Sequence, residues 1–335
     1  MALRIGIIGA GIMGKGHAEV LAAHPDAAVT AVASRTPAHA RALADSVGTA
    51  TAFTDYHDLI ASGTVDAVSV TTPDDLHAEV MVEAARAGLH ILVEKPFTTD
   101  IAGADRAAAA IADAGVIAMC LFNHRWVPAY AQAKDCMADI GAPVVAYARK
   151  DDTIFVPTEM INWAQNTTCA WFLSSHDIDL ITWLFADRVV EVFARARYGL
   201  LRGKGIDTPD AVQIQATFSQ GAIATFESAW IYPNTFPTVV DSYVTVIGES
   251  GTIQLDRQKE NIQLATEKGY AYPRNNLQRV VHGIPAGAYR DAIHHFVSCA
   301  ATGTQPLITV DSSRHVTAVL AAAHQSIASG RPERV

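Results

Sequence analysis

Residues 3–14 read LRIGIIGAGIMG, an apolar run that breaks at once into a glycine loop. Leu3–Ile8 has the composition of a strand buried on both faces. Gly9, Gly11 and Gly14 follow in GxGxxG spacing and lead into an amphipathic stretch from Ile12. Each glycine has a physical task. The first permits a tight turn, the second lets backbone approach a pyrophosphate, and the third lets the helix pack closely on the strand. With Ile12 and Met13 opening the helix, free N–H groups and a partial positive charge would face that anion. The stretch therefore predicts a dinucleotide-binding βα unit; a plain tight turn is the alternative.

The pattern continues outward from that unit. Val29–Ala33, Ala67–Thr71, Leu89–Glu94 and Val116–Phe122 are further apolar runs, with a short one near Thr51–Phe53. Amphipathic, alanine-rich segments separate them at Ile12–Ala23, Ala38–Ser46, Leu76–Ala87 and Ile101–Ala114. Gly88 and Gly115 fall just past helices, where a left-handed cap is expected. Residues 1–122 thus predict an α/β Rossmann domain with a doubly wound parallel sheet.

After Phe122 the grammar changes. A helix-like stretch, Pro128–Ile140, ends at Gly141-Ala142-Pro143. Alternating segments follow at Val144–Lys150, Val189–Arg197, Ala211–Phe218, Ala222–Ile231, Tyr243–Ile247 and Thr252–Leu255. Turn signals such as Ser219-Gln220-Gly221 join several of them. Residues 123–335 predict an α+β domain for substrate binding and oligomerisation, built on a largely antiparallel open sheet. Its expected cover is Asp177–Phe185 with two C-terminal helices, Tyr289–Ala301 and Ser313–Ser329, the last free to pack back on the first domain.

Composition narrows the function classes. At 335 residues the chain is long enough for two domains, and half of it is apolar, which supports sizeable cores. The formal charge of −9, with no Lys/Arg run longer than two, argues against nucleic acid and acidic membrane partners. Cys120, Cys136, Cys169 and Cys299 are scattered without a CxxC pair. That argues against a disulfide framework or a structural zinc site and fits a reducing compartment. With no secretory pattern and no long apolar span, a cytoplasmic protein is expected.

The second strand runs into Ser34 and Arg35. An NAD site usually places a carboxylate there for the ribose 2′-hydroxyl. A hydroxyl and a guanidinium suit a 2′-phosphate instead, so NADP(H) is favoured over NAD(H).

With Glu94-Lys95-Pro96 closing the fifth major strand, the sequence resembles the Gfo/Idh/MocA oxidoreductases, a family that includes inositol dehydrogenases and glucose–fructose oxidoreductase. The likeness spans the chain. It takes in the glycine loop, Thr72-Pro73-Asp74-Asp75-Leu76-His77, the EKP triplet, Asn123-His124-Arg125-Trp126-Val127-Pro128, His176-Asp177-Ile178-Asp179, and the final Ser326–Pro332 segment. The resemblance implies that Lys95 is the catalytic acid/base, after a possible cis Lys–Pro bond, and that His176 orients the reacting hydroxyl. Thr72, Pro73, His77, Glu94, Lys95 and Asn123 are the expected cofactor contacts, with support of the helix after the Thr72-Pro73 turn as the other reading of His77. Substrate contacts are expected from Lys95, Arg125, Trp126, Asp152, Trp163, His176, Asp179, Trp230 and Tyr232, a lining in which rings cover C–H faces and polar groups take hydroxyls. The family's Asp four residues before the histidine is absent; Phe172 stands there, and Asp177 and Asp179 are the nearby carboxylates.

The expected activity is NAD(P)-dependent hydride transfer at a hydroxyl carbon of a sugar, polyol or inositol-like substrate, with no metal. An NAD-dependent glycosidase working by oxidation and elimination is one alternative. A non-catalytic dinucleotide-binding sensor is another. A homodimer or homotetramer through the C-terminal sheet is the expected assembly.

Overall fold

The structure, a computed structural model, describes residues 2–48 and 50–335. In chain order the first elements are β1 (Leu3–Ile8), α1 (Ile12–Ala22), β2 (Ala27–Ala33), α2 (Pro37–Val47), β3 (Thr51–Phe53), α3 (Tyr56–Ala61), β4 (Ala67–Val70), α4 (His77–Arg86), β5 (His90–Val93), α5 (Ile101–Ala114) and β6 (Ala118–Cys120). Then come α6 (Pro128–Asp135), β7 (Pro143–Thr153), α7 (Ser175–Phe185), β8 (Val189–Arg197), β9 (Ala211–Phe218), β10 (Ile223–Tyr232), β11 (Val240–Gly248) and β12 (Thr252–Asp256). Two small hairpins, β13 (Leu264–Thr266) with β14 (Gly269–Ala271) and β15 (Arg279–Val281) with β16 (Ile284–Ala286), precede α8 (Ala288–Thr302), α9 (Val310–Ser329) and β17 (Glu333–Arg334).

Two compact units result: Met1–Asn123 with Gln278–Arg314, and His124–Leu277 with His315–Val335. In the first, six parallel strands lie in the order β3-β2-β1-β4-β5-β6. The continuous apolar runs account for this, since Ile5, Ile7 and Ile8 of β1 and Ile91–Val93 of β5 are all buried. Strand order reverses between β1 and β4, which opens a ligand crevice at the carboxyl ends of the strands. Gly115 closes α5 in the left-handed conformation, φ 64°, as its position predicts. Helix α3 was not expected; Asp55 caps it by accepting from the His57 N–H at 3.0 Å.

The chain does not divide at a single cut near residue 122. Helix α8, expected as cover for the second sheet, belongs to the first unit and packs on α1 and β5. The Tyr289 hydroxyl donates to Glu94 Oε1 at 2.7 Å, and the His24 and His294 rings meet edge to face.

The second unit carries a seven-stranded sheet, β12-β11-β7-β10-β9-β8-β17. Only β7 and β10 pair in parallel; every other pair is antiparallel. Period-two burial gives it a covered face, where Ala146, Ala148 and Lys150 of β7 point towards α7. Helix α9 is tied to β8, with Ser326 Oγ accepting from the Ala194 N–H at 3.0 Å. The expected helix Pro128–Ile140 stops at Asp135 and tightens into a 3-10 turn, Cys136–Ile140, before Gly141. Two wide π-helical turns, Val156–Met160 and Ala170–Ser174, fill stretches without a regular period.

Candidate active site

The glycine loop joins β1 to α1. Gly9 has φ 112°, and a Cβ there would lie 2.5 Å from the Thr71 carbonyl oxygen. A Cβ on Gly14 would sit 1.9 Å from the Gly9 oxygen, so this position admits no side chain. Around Gly11, by contrast, a Cβ would meet nothing within 4 Å. Gly11 gives α1 no side-chain cap, the first turn holds no acid, and Ile12 and Met13 are exposed beside it. Among the described residues, Thr72 Oγ1 (next to Pro73) and Asn123 Oδ1 are buried without hydrogen-bond partners. Tight backbone, open space over the second glycine, uncapped N–H groups and orphaned polar atoms together fit a dinucleotide. At the end of β2, the Thr36 N–H donates to Ser34 Oγ at 3.3 Å and Arg35 is exposed.

Glu94 and Lys95 follow β5 directly, and the Lys95–Pro96 peptide is cis. Glu94 is buried and collects three donors. Tyr289 Oη and His17 Nε2 approach Oε1 at 2.7 and 3.0 Å, and the Lys95 N–H donates to Oε2 at 3.1 Å. His17 Nδ1 is in turn 2.7 Å from Ser69 Oγ. Burial alone would raise the Glu94 pKa. The His17 bond and charge, the Lys95 charge and the Tyr289 bond outweigh it and hold the carboxyl below its ordinary value, so Glu94 is an anion. His77 is fully buried, its ring nitrogens 2.7 Å from the Pro96 oxygen and 3.1 Å from the Thr72 oxygen. It braces the turn that carries Lys95.

In the second unit, His176 lies in the first turn of α7, its ring stacked on that of His124 with centroids 4.3 Å apart and planes 15° from parallel. Arg257 Nη1 donates to His124 Nε2 at 3.1 Å. Lys150 Nζ is 3.1 Å from Asp177 Oδ1 and donates to Ser242 Oγ at 3.0 Å. Burial lowers the Lys150 pKa to about 8 against the pull of Asp177, and burial raises Asp177 against the pull of Lys150. His124 falls well below its usual value through burial and the neighbouring charges of Lys150, His176, Arg257 and Arg274.

The remaining expected residues are placed variously. Arg125 donates to both oxygens of Asp179, Nε at 3.0 Å and Nη2 at 2.6 Å, so these two brace each other in the interior. Asp177 and Asp179 are thus each committed to a cation. Trp230 is fully buried, its Nε1 donating to the Pro209 oxygen at 2.7 Å. Tyr232 Oη donates to Asp151 Oδ2 at 2.9 Å. Asp152 is buried on β7, while Trp126 and Trp163 are half-buried. Phe172 packs between the Trp163 and Trp230 rings, an apolar wall at the position where the resembled family has a carboxylate.

Sequence reasoning missed His17, Tyr289, Lys150 and His124. A signal existed for Lys150, the third inward position of an alternating strand after Ala146 and Ala148. Tyr289 lies 195 residues from the carboxylate it serves, and nothing local marks it.

Comparison with known proteins follows the same division. Residues 3–122 match the oxidoreductase family's NAD-binding Rossmann fold (GFO_IDH_MocA), and residues 130–254 match the GFO/IDH/MocA C-terminal domain. The chain is 26% identical to myo-inositol 2-dehydrogenase of Thermotoga maritima, over 98% of this chain and 97% of that one. It is 28% identical to D-xylose 1-dehydrogenase (NADP(+)) 2 of Haloferax volcanii, over 90% of each. Its fold matches scyllo-inositol dehydrogenase of Lactobacillus casei, solved with NAD(H) and scyllo-inositol. The TM-score is 0.84 at 21% identity, covering 100% of this chain and 99% of that one.

Proposed function

The chain belongs to the GFO/IDH/MocA family of oxidoreductases with an NAD-binding Rossmann fold, and on that premise we propose that it is a nicotinamide-dependent dehydrogenase or reductase of a sugar, polyol or inositol-like alcohol. The observation that carries the reading is the placement of Lys95. It leaves the carboxyl end of β5 in the same sheet whose β1 ends in the glycine loop, and a buried, hydrogen-bonded carboxylate fixes its backbone.

Gly9, Gly11, Ile12, Met13 and Gly14 would hold the pyrophosphate, with Thr72, Pro73 and Asn123 beside the ring. Nicotinamide, when bound, accepts or returns the hydride. Lys95 Nζ takes the proton of the substrate hydroxyl as hydride leaves the same carbon, and returns it in the reductive direction. His176 orients that hydroxyl. Because Phe172 replaces the carboxylate of the resemblance, proton transfer rests on Lys95. Trp126, Asp152 and Trp163 line the substrate. Ser34 and Arg35 support NADP(H) over NAD(H), since the end of β2 offers no carboxylate to repel a 2′-phosphate. Ile223 and Ile247, exposed on one face of the second sheet, support a homo-oligomer through that face. Scattered, unbridged cysteines support a cytoplasmic setting. Among the described residues no helix is long and apolar enough to cross a membrane.

The test is turnover of the full chain with NAD⁺ and NADP⁺ separately, against polyols, inositols, aldoses and simple glycosides. Reduced nicotinamide and released aglycone are both followed. The expected result is cofactor reduction, fastest with NADP⁺, and a fall of about 10²- to 10⁴-fold in Lys95→Ala with dinucleotide binding retained. Full turnover in Lys95→Ala would remove the mechanism. Aglycone release without net cofactor reduction would replace it with oxidation and elimination, and dinucleotide binding with no turnover would leave a sensor.

A further inference from the structure

His124 sits on the 3-10 turn Asn123–Trp126 and is 1% exposed. Its Nε2 faces Arg257 Nη1 at 3.1 Å. A guanidinium has donors and no acceptor, so Nε2 must present its lone pair. The ring is then neutral and its one proton is on Nδ1; a second proton would set N–H against N–H. Arg257 is not free to turn away, because its Nε lies 3.2 Å from Glu260 Oε1, and Glu260 is itself fixed by the N–H groups of Asn275 and Asn276 at 2.5 and 2.8 Å. Lys150, Arg257 and Arg274 surround the ring with positive charge, and the edge of Tyr130 closes another side.

That leaves the Nδ1–H as a buried donor, and among the described residues it has no hydrogen-bond partner. The Oγ atoms of Ser174 and Ser175 are likewise buried and unpartnered. These two serines immediately precede His176, the residue whose ring stacks on His124. Three orphaned polar atoms, on His124 and on the two residues before its stacking partner, are costly in a finished core and would be satisfied by a ligand that brings oxygen. A polyhydroxylated ring brings both acceptors and donors.

We propose that His124 is a substrate-binding, specificity-determining residue whose Nδ1–H donates to an oxygen of the bound polyol or sugar. This inference rests on the dehydrogenase reading and gives a role to a residue that lies inside the Asn123–Pro128 motif but was assigned none there. Its consequence is selectivity: an analogue lacking that one oxygen leaves the donor unpaired and is rejected.

The experiment combines ring-¹⁵N histidine NMR of the full chain with two substitutions. The ¹⁵N pattern of His124 is expected to show the Nδ1–H tautomer between pH 6 and 8. Its resonance should move on saturation with the polyol or sugar that is turned over, with myo-inositol and D-xylose as first probes. His124→Phe keeps a flat ring for the stack and removes the donor; KM for the sugar should rise about 10- to 100-fold, with KM for the dinucleotide nearly unchanged. His124→Asn returns an N–H close to the Nδ1 position and should recover most of that loss. An Nε2–H tautomer, or an unchanged sugar KM in His124→Phe, overturns the proposal. Failure of the dehydrogenase reading looks different, because no sugar is then turned over whatever stands at 124. If His124→Phe does not fold, the tautomer, its response to sugar and His124→Asn still decide.

Discussion

At Glu94, donors from two distant parts of the chain, His17 and Tyr289, meet one buried carboxylate together with the backbone N–H of the next residue, Lys95. Glu94→Gln keeps the shape but removes the charge, and its amide N–H₂ would face a donor. The expected outcome is a fall in kcat of about 10- to 100-fold, with KM for the dinucleotide nearly unchanged. Tyr289→Phe removes one donor and no charge, so it should lower kcat less, about 3- to 10-fold. If both variants lose only thermal stability while kcat stays fixed, Glu94 holds the fold and does not position Lys95. Legibility divides the same way. Lys95 and His176 were readable because short motifs carry them, whereas His17 and Tyr289 act through contacts 77 and 195 residues apart.

Among the elements, β1 and α1 give the sharpest contrast. Gly11→Ala would place its methyl in open space at φ −82°, so apo stability should hardly change. The same methyl stands where backbone must approach a pyrophosphate, and the dissociation constant for dinucleotide should rise about tenfold or more. Gly14→Ala drives a methyl into the Gly9 carbonyl and should lower the melting temperature by several degrees even without cofactor. Thermal melts with and without NADP⁺ separate the two; equal apo melting temperatures would refute the packing account of Gly14. Apart from the two-residue edge strand β17, the strands of both sheets were legible because burial on two faces gives continuous apolar runs, while burial on one gives alternation. The π-helical turns and the hairpins between β12 and α8 were not. They carry no period, and half of the small strands, such as β13 and β15, are wholly exposed.

For the molecule as a whole, the six-stranded sheet is contained within residues 1–123, yet that segment lacks part of its own core. Helix α8 returns from far along the chain to cover α1 and β5, and Ala292, Ile293, Phe296 and Val297 are buried to 1% exposure or less. Covering the three larger side chains is worth about 1.5–3 kcal/mol each. The sum rivals the roughly 5–15 kcal/mol by which a domain is stable at all. Losing α8 would also uncover the Glu94–His17 pair, which Tyr289 shields and bonds. A fragment of residues 1–123 should therefore melt without a cooperative transition and bind hydrophobic dye, despite carrying every strand of its sheet. Joining residues 278–314 to it through a flexible glycine–serine linker should restore a sharp melt. A cooperative transition in 1–123 alone, near that of the full chain, would mean that α8 adds surface to a unit already complete. The expected single boundary near residue 122 followed from a change in local pattern, and local pattern has no means of recording that a helix 165 residues further on completes the first core.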